Sequence, residues 1–512
     1  MSHKTPPKLG QDVADAFTQE LGGIAPTWHI KGRPDGEFLV FEFAAPSSHL
    51  YEVLGRVNSQ LDGGHVFKDR SSLAMRAKKP PNVLAIPETA LMQRELSATL
   101  TVDRNTFGDE FLSRYTPSVT GLEKDIVIHA NHVVYGRRGS GKSSLLAYAM
   151  HHLRREELPY CWVAMQAYAA RADSQAIASV LAEVFLQVGK YAAGAVEIKT
   201  VSEELFALGE SENAVTTGQK LVRLIPRMRR LLGDIASPTR PLTIFLDDVH
   251  VLGSALQPEL LGTLYSLARG NGVFLKLSGI EQLTTLWDSA TKRGLEAPHD
   301  VQTLLLDHNL TSPDQSRDHI KSILDRHANY CGLPGIEYIA ADSYLDRLVL
   351  SAAAVPRDAL SLLAKSIARS ANKKQKFVSI TSLNAAASEA VEDKLKDIES
   401  DLSTEEKAGI SACLDQVKKY CLVKQKKNAF LVKILNKSRD YAEIQKLVAL
   451  RFIHVLHEGI TPHKAGERYV ALMLDYGFYI GIRAAKSIEI FPDRPRQLAV
   501  KELRKLPIFV PS

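Results

Sequence analysis

The 512-residue chain predicts an α/β fold: a phosphate-loop core with a five-stranded parallel sheet, a helical lid, a C-terminal winged-helix-like domain and a small N-terminal α/β domain. Three observations predict it. From Asn131 short apolar strands alternate with longer helical stretches, the pattern of a parallel sheet covered by helices. A complete Gly-x-x-x-x-Gly-Lys-Ser, Gly136 to Ser143, stands between the first of those strands and an amphipathic helix. A cationic segment and a mixed apolar run then follow the helical region. The expected boundaries are 1–80 for the N-terminal adaptor, 105–310 for the core, 311–400 for the lid and 401–512 for the last domain.

The N-terminal segment opens with Val13, Phe17 and Leu21 spaced four apart, which predicts an amphipathic helix. Two β-rich runs, TWHI and EFLVFEF, flank Gly32-Arg33-Pro34-Asp35-Gly36 and predict a hairpin. Lys79-Pro80-Pro81-Asn82 disfavours helix and central strand alike, so the first linker is placed there.

Five core strands are expected: HVVYG ending at Gly136, YCWVAM from Tyr160, LTIFL from Leu242, VFLKLS from Val273 and VQTLLL from Val301. Between the second and third, Ile177, Val180, Leu181, Val184, Phe185 and Val188 mark one helical face. Residues 190–216 read as an insertion or long loop. Ser312-Pro313 supplies a cap and a first-turn proline for the helical lid. Residues 416–439 then hold Lys418, Lys419, Lys424, Lys426, Lys427, Lys433, Lys437 and Arg439 with no acidic residue. A helix-like stretch from Asp440 to Leu450 follows, and the apolar run after it does not separate helix from strand by period alone.

Composition narrows the class. Hydrophobic residues at 45% and charged residues at 24% exclude fibrous or mostly disordered chains. No apolar run reaches the length of a membrane span, and the N-terminus lacks a secretory core, so a cytoplasmic protein without membrane contact is expected. Cys161, Cys331, Cys413 and Cys421 form no CxxC pair, which argues against disulfides or a cysteine-built zinc site. A net charge of only +6 leaves any nucleic-acid role to a local patch. His454, His457 and His463 lie in an apolar run without supporting ligands and read as structural.

The glycine-rich motif carries the chemistry. Gly136, Gly139 and Gly141 let backbone N–H groups curl around phosphate oxygens together with Ser140, the following helix turns its positive end to them, and Lys142 reaches the β and γ phosphates. Ser143 is expected to hold Mg²⁺ and Ser144 to line the ATP site. About a hundred residues on, Leu242 to Leu246 runs into Asp247-Asp248. Asp247 is expected to bind Mg²⁺ through water, and Asp248 to orient or deprotonate the attacking water.

In the order of these parts the chain resembles the AAA+ ATPases, and within them the initiator type represented by origin-recognition-complex ATPases, over about residues 105–400 with a looser match to the end. The resemblance implies a polar sensor at Ser278, a finger arginine at Arg293 and a lid sensor at Arg357, in Val355-Pro356-Arg357-Asp358-Ala359-Leu360. It also implies a homo-oligomer or partner-ATPase assembly with nucleotide at the interface. Asp-Asp replaces the usual Asp-Glu, so slow hydrolysis is expected. The same pair occurs in the signal-transduction ATPases with numerous domains, which the chain resembles in core and lid order. Two readings result. One is Mg²⁺-dependent ATP hydrolysis driving a switch or assembly on double-stranded DNA, held through Lys418, Lys419, Lys424, Lys426 and Lys427. The alternative is a signalling or scaffold ATPase that keeps ATP as a latch and recruits an effector protein through its N-terminal domain.

Overall fold

The computed structural model describes residues 7–100, 108, 110–171, 173–192, 196–211, 213–306, 310–401, 404–434, 439–461, 467–480 and 488–511. Contacts divide the chain into two compact units, 117–307 with 445–451, and the remainder. The four segments expected from the sequence are not this division.

In the unit holding both ends, the chain begins with α1 (Pro7–Glu20), β1 (Thr27–Arg33), β2 (Gly36–Phe43), α2 (Ser48–Gln60), β3 (Ser71–Met75), α3 (Pro87–Ala98) and α4 (Phe111–Arg114). The expected hairpin is present, with Arg33 opposite Gly36 and Pro34-Asp35 as its turn. Val13, Phe17 and Leu21 are buried with Phe41, Phe43 and Leu50 in a core of this segment's own. Lys79 to Asn82 is irregular, as its prolines require, yet it does not sever the chain. Beyond it, buried Glu88 accepts from the Ala44 amide at 2.7 Å and pairs with Arg76 at 2.9 Å.

The second unit runs through α5 (Glu123–Ile126), β4 (His132–Tyr135), α6 (Lys142–Arg155), β5 (Tyr160–Ala164), α7 (Asp173–Val188), α8 (Val196–Gly209), α9 (Ala214–Ile235), β6 (Leu242–Asp247), α10 (Leu256–Ala268), β7 (Val273–Gly279), β8 (Trp287–Asp288), β9 (Arg293–Gly294) and β10 (Gln302–Leu305). Its sheet is parallel throughout and five-stranded, in the order β10-β4-β7-β6-β5. All five expected strands are in it. The stretch 190–216 is not a loop: α8 occupies most of it, because Ile198, Val201, Leu205 and Leu208 recur at helical spacing and are buried. The Ser202 hydroxyl donates to the Ala182 carbonyl of α7 at 2.9 Å.

The first unit resumes with α11 (Pro313–Tyr330), α12 (Asp342–Ser351), α13 (Pro356–Asn372), α14 (Ile380–Asp401), α15 (Thr404–Lys418), β11 (Ala429–Lys433), α16 (Arg439–Ala449, whose last turn is counted with the other unit), β12 (Ile453–Ile460), β13 (Tyr469–Leu474), α17 (Gly477–Ile480), α18 (Val500–Leu503) and β14 (Ile508–Phe509). Pro313 opens α11 as expected, but Ser312 makes no side-chain cap. One hydrophobic core runs from Val83 and Met92 through Leu348 and Leu363 to Leu431, Tyr469 and Met473. Lid helices and C-terminal sheet are therefore packed as one body, across the boundary expected at 400. That sheet has the order β12-β13-β11-β14. Among the described residues one helix, α16, lies between β11 and β12. No helix among the described residues is long and apolar enough to cross a membrane, and all four cysteines are buried thiols outside any disulfide.

One buried charge sits inside the parallel sheet. Lys276 of β7 is 1% exposed, donates to the carbonyls of Ile128 and Ala130 at 2.8 and 3.3 Å, and meets His132 Nδ1 at 3.0 Å. Burial pushes its ammonium down to about 7 from the ordinary 10.5. Below pH 7 the folded and unfolded chains both carry the proton, and the folded state bears the full desolvation cost. Between about 7 and 10.5 the unfolded chain alone keeps it, so stability rises with pH through that window, by up to about 1.4 kcal/mol per pH unit. Urea denaturation at pH 7 and pH 9 is expected to show a larger gain for the wild type than for Lys276→Met. Equal gains would remove Lys276 as the cause.

Candidate functional site

The site is built at the carboxyl ends of the parallel strands, where ligands of open α/β sheets bind. β4 is buried along its whole length and stops at Tyr135, so the chain turns sharply into the loop 136–141. At Gly136 an added Cβ would lie 2.2 Å from the Leu306 carbonyl oxygen and 2.5 Å from Ser140 Oγ. No other residue fits without moving the backbone. Gly139 and Gly141 have φ of +82° and +101°, a region costly for side-chain-bearing residues. Gly141 is the N-cap of α6 and makes no side-chain cap, so the first-turn amides of α6 are left for an anion.

Lys142, the first residue of α6, is buried, and its Nζ donates to the carbonyls of Gly136 and Arg137 at 3.2 and 3.3 Å. Ser143 follows, and its hydroxyl donates to Asp247 Oδ1 at 3.0 Å. The same oxygen accepts the Ser278 hydroxyl at 2.6 Å, while Ser278 Oγ accepts the Asp248 amide at 2.8 Å. Register explains the meeting: β6 and β7 pair Leu246 with Leu277, so the next residues of each, Asp247 and Ser278, emerge side by side. Sequence motifs a hundred residues apart become one hydrogen-bonded cluster.

Burial pushes the Asp247 carboxyl up to about 6, helped by the neighbouring Asp248 charge and opposed by the Ser278 and Ser143 hydroxyls and by Lys142. Asp248 takes the left-handed conformation, φ 60° and ψ 48°, which costs a non-glycine residue about 1 kcal/mol. Its carboxylate is 42% exposed and lies 3.8 Å from His250 Nδ1. His250 was not singled out from the sequence. The available signal was a histidine two places after the acidic pair, inside the short turn Val249–Val251. The Leu306 carbonyl, which sets the glycine requirement at position 136, has no sequence signature.

The donor set fits a nucleoside triphosphate with a hard divalent cation. Ser140 Oγ is buried with no hydrogen-bond partner among the described residues, in a loop where a Cβ on Gly136 would collide with it. Ser143 and Asp247 offer the oxygen ligands Mg²⁺ prefers. Gly136, Gly139, Ser140, Gly141, Lys142 and Ser144 all lie along the loop and the first turn of α6.

Other expected residues are not drawn into this cluster. Arg293 lies on β9, in a two-stranded hairpin. It is exposed and pairs with Glu259 of α10 at 2.9 Å. Close approach holds the hairpin there, since a Cβ on Gly262 of α10 would come 2.9 Å from the Gly294 amide. Arg357 is in the first turn of α13, in the unit that lacks the loop. The cationic segment is partly neutralised. Lys418 pairs with Asp415 at 3.2 Å, Lys427 with Glu489 at 2.9 Å and Lys433 with Glu467 at 2.9 Å, all acids outside the run. Lys419, Lys424 and Lys426 are exposed. Lys437 and His463 lie outside the described residues, as does the side chain of Arg439. His454 is structural, with Nε2 held at 3.0 Å by buried Asp475.

Fold and site together define a P-loop nucleotide-binding protein. More narrowly, residues 127–275 match the family described as the AAA ATPase domain. No curated protein matches the chain in sequence. Among solved structures, it is similar to that of Drosophila ORC bound to DNA, at 13% identity and TM-score 0.36, covering 86% of this chain and 98% of that one. The Aeropyrum pernix ORC1 protein in complex with DNA is 14% identical, with TM-score 0.39 and coverage of 73% and 93%. Cdc6p from Pyrobaculum aerophilum is 14% identical, with TM-score 0.35 and coverage of 79% and 98%.

The raised Asp247 carboxyl yields a prediction. A carboxylate kept ionised above its raised pKa costs the folded protein up to about 3 kcal/mol, a difference lost below the ordinary pKa near 4. Without nucleotide, Asp247→Asn is expected to melt above the wild type at pH 7 and level with it near pH 4. A variant that melts lower at pH 7 would show that the carboxylate stabilises the fold.

Proposed function

We propose that the protein binds ATP with Mg²⁺ in the 136–143 loop, hydrolyses it slowly, and uses the nucleotide state to switch its conformation or assembly on DNA. The observation that supports this most is the shared Asp247 oxygen, which joins the loop serine, the acidic strand end and the next strand's Ser278. In phosphoryl transfer the protein's contribution is positioning and charge stabilisation. Bound Mg²⁺ would neutralise developing charge on the β and γ oxygens, held by Ser143 and Asp247.

The residues of the chain do the remainder. Lys142 now rests on two neutral carbonyls, and an anionic phosphate oxygen is the stronger acceptor, so binding redirects its ammonium. The α6 amides and Ser140 Oγ complete the cradle. Asp248, with His250 beside it, orients the attacking water and takes its proton. Ser278 holds both acidic residues in place through Asp247 Oδ1 and the Asp248 amide. Arg293, exposed on its hairpin, would act on the nucleotide of a neighbouring subunit, and the sensor role of Arg357 rests on the family resemblance. DNA contact rests on Lys419, Lys424 and Lys426, with Lys418 and Lys427 contributing after release from Asp415 and Glu489.

Binding of a fluorescent ATP analogue and phosphate release test the site together. Lys142→Ala is expected to lose binding about tenfold or more, whereas Asp248→Asn keeps binding and loses turnover by about 10² or more. Arg293→Ala should abolish any rise of specific activity with protein concentration. Undiminished turnover in Lys142→Ala would refute the site, and tightly retained ATP with no turnover in the wild type would favour the latch.

The DNA part has its own measurement. Lys419, Lys424 and Lys426 changed together to Ala are expected to weaken duplex binding at every sequence and to flatten the log K against log salt slope by roughly 2 to 3. A wild-type protein that binds no duplex at low salt, with or without nucleotide, would sink the DNA reading.

A further inference from the structure

The geometry points to a second cation site, a divalent transition-metal site of zinc type formed by His49, Glu52 and Glu110 in the unit that does not carry the phosphate loop. His49 and Glu52 are three residues apart on α2 and share one helical face. Glu110, just before α4, brings its carboxylate to that face, and one ligand atom from each of the three lies within 4.8 Å of the others.

Three features distinguish the cluster from a solvated group of acids. First, His49 Nδ1 is buried and has no hydrogen-bond partner among the described residues, although Glu110 Oε1 is only 3.5 Å away. That separation is long for a hydrogen bond, but it is close to the edge of a tetrahedron around a metal with bonds of about 2.0 to 2.2 Å, roughly 3.4 Å. Second, the ligands are held from behind. The imidazole stacks on Tyr330 at 4.0 Å with 22° between planes, and the Tyr330 hydroxyl donates to Glu110 Oε2, leaving Oε1 to face His49. Ser47, the N-cap of α2, donates to the Tyr330 carbonyl at 2.9 Å, tying the helix to the ring it uses. Such outer partners orient metal ligands in general.

Third, the cluster lines a cavity of about 1030 Å³, whose wall also includes Asp318, Ser322, Arg326 and Asn329. Two nearby cations are engaged mainly by other acids. Lys321 is engaged by Asp325 and Glu337, and Arg114 by Glu95. Glu52 has no ion pair among the described residues. One imidazole with two carboxylates suits zinc and its neighbours better than Mg²⁺ or Ca²⁺, which take oxygen ligands. Three protein ligands leave a coordination position toward the cavity, open to water or to a ligand group.

The test uses the full-length protein, stripped with chelator and free of nucleotide, titrated with ZnCl₂ by calorimetry and counted by native mass spectrometry. One Zn²⁺ per chain is expected. His49→Ala and Glu52→Gln should each weaken it by about tenfold or more, and Tyr330→Phe by about 10- to 100-fold through loss of the bond to Glu110. Glu52 is exposed, so its variant keeps the fold, which circular dichroism checks. Ser143→Ala, altered at the other candidate cation site, should bind Zn²⁺ as the wild type does. Absence of Zn²⁺ binding, equal affinity in Glu52→Gln, or loss of Zn²⁺ in Ser143→Ala in its place would overturn the site.

Discussion

One carboxylate oxygen organises the nucleotide-binding unit. Asp247 Oδ1 accepts the hydroxyls of Ser143 and Ser278, and through Ser278 it reaches the Asp248 amide. Three elements that contribute those groups, α6, β6 and β7, are thereby fixed at one point, and the strain at Asp248 is held by the same bonds. A buried carboxyl with a raised pKa is an unfavourable feature for folding alone. It becomes intelligible where the group's task is to meet a cation and a phosphate, because stability is commonly lost at sites shaped for binding.

The two units handle buried charge differently. In the parallel sheet, Asp247 and Lys276 are each satisfied by hydroxyls, carbonyls or an imidazole, without a direct opposite charge. In the other unit, Lys394 bridges Asp475 at 2.8 Å and Asp358 at 3.3 Å, and His454 adds a third partner to Asp475. That cluster holds the Asp475 carboxyl far below the usual carboxylate range. Breaking one partner would leave an unpaired buried charge, so the cluster fixes the start of α13 to α14 and to the sheet of β12 and β13.

Legibility along the chain followed the range of the interactions. The hairpin at Pro34-Asp35, the five core strands and the helix beginning at Pro313 rest on residues close in sequence, and all were readable. α8 was missed because residues 190–216 follow a strong helix and hold no proline to announce a second one. The order β12-β13 was unreadable because a continuous apolar run is compatible with strand and helix alike until neighbours choose. The cationic run looked uniform in one dimension, yet acids from elsewhere in the chain, Asp415, Glu467 and Glu489, neutralise part of it.

By itself the sequence determined the chemistry on offer: a loop of glycines with a lysine and a serine, an apolar strand ending in two aspartates, and the alternation that makes a parallel sheet. These depend on backbone conformational preference and on side-chain periodicity, both local properties. Tertiary structure alone decided that Ser278 shares an oxygen with Ser143, that Arg293 sits on a hairpin paired to Glu259, and that His49, Glu52 and Glu110 converge under Tyr330. Each of these joins residues 34 or more positions apart, except His49 with Glu52. Such distances are closed by strand register and core packing, which no local pattern encodes.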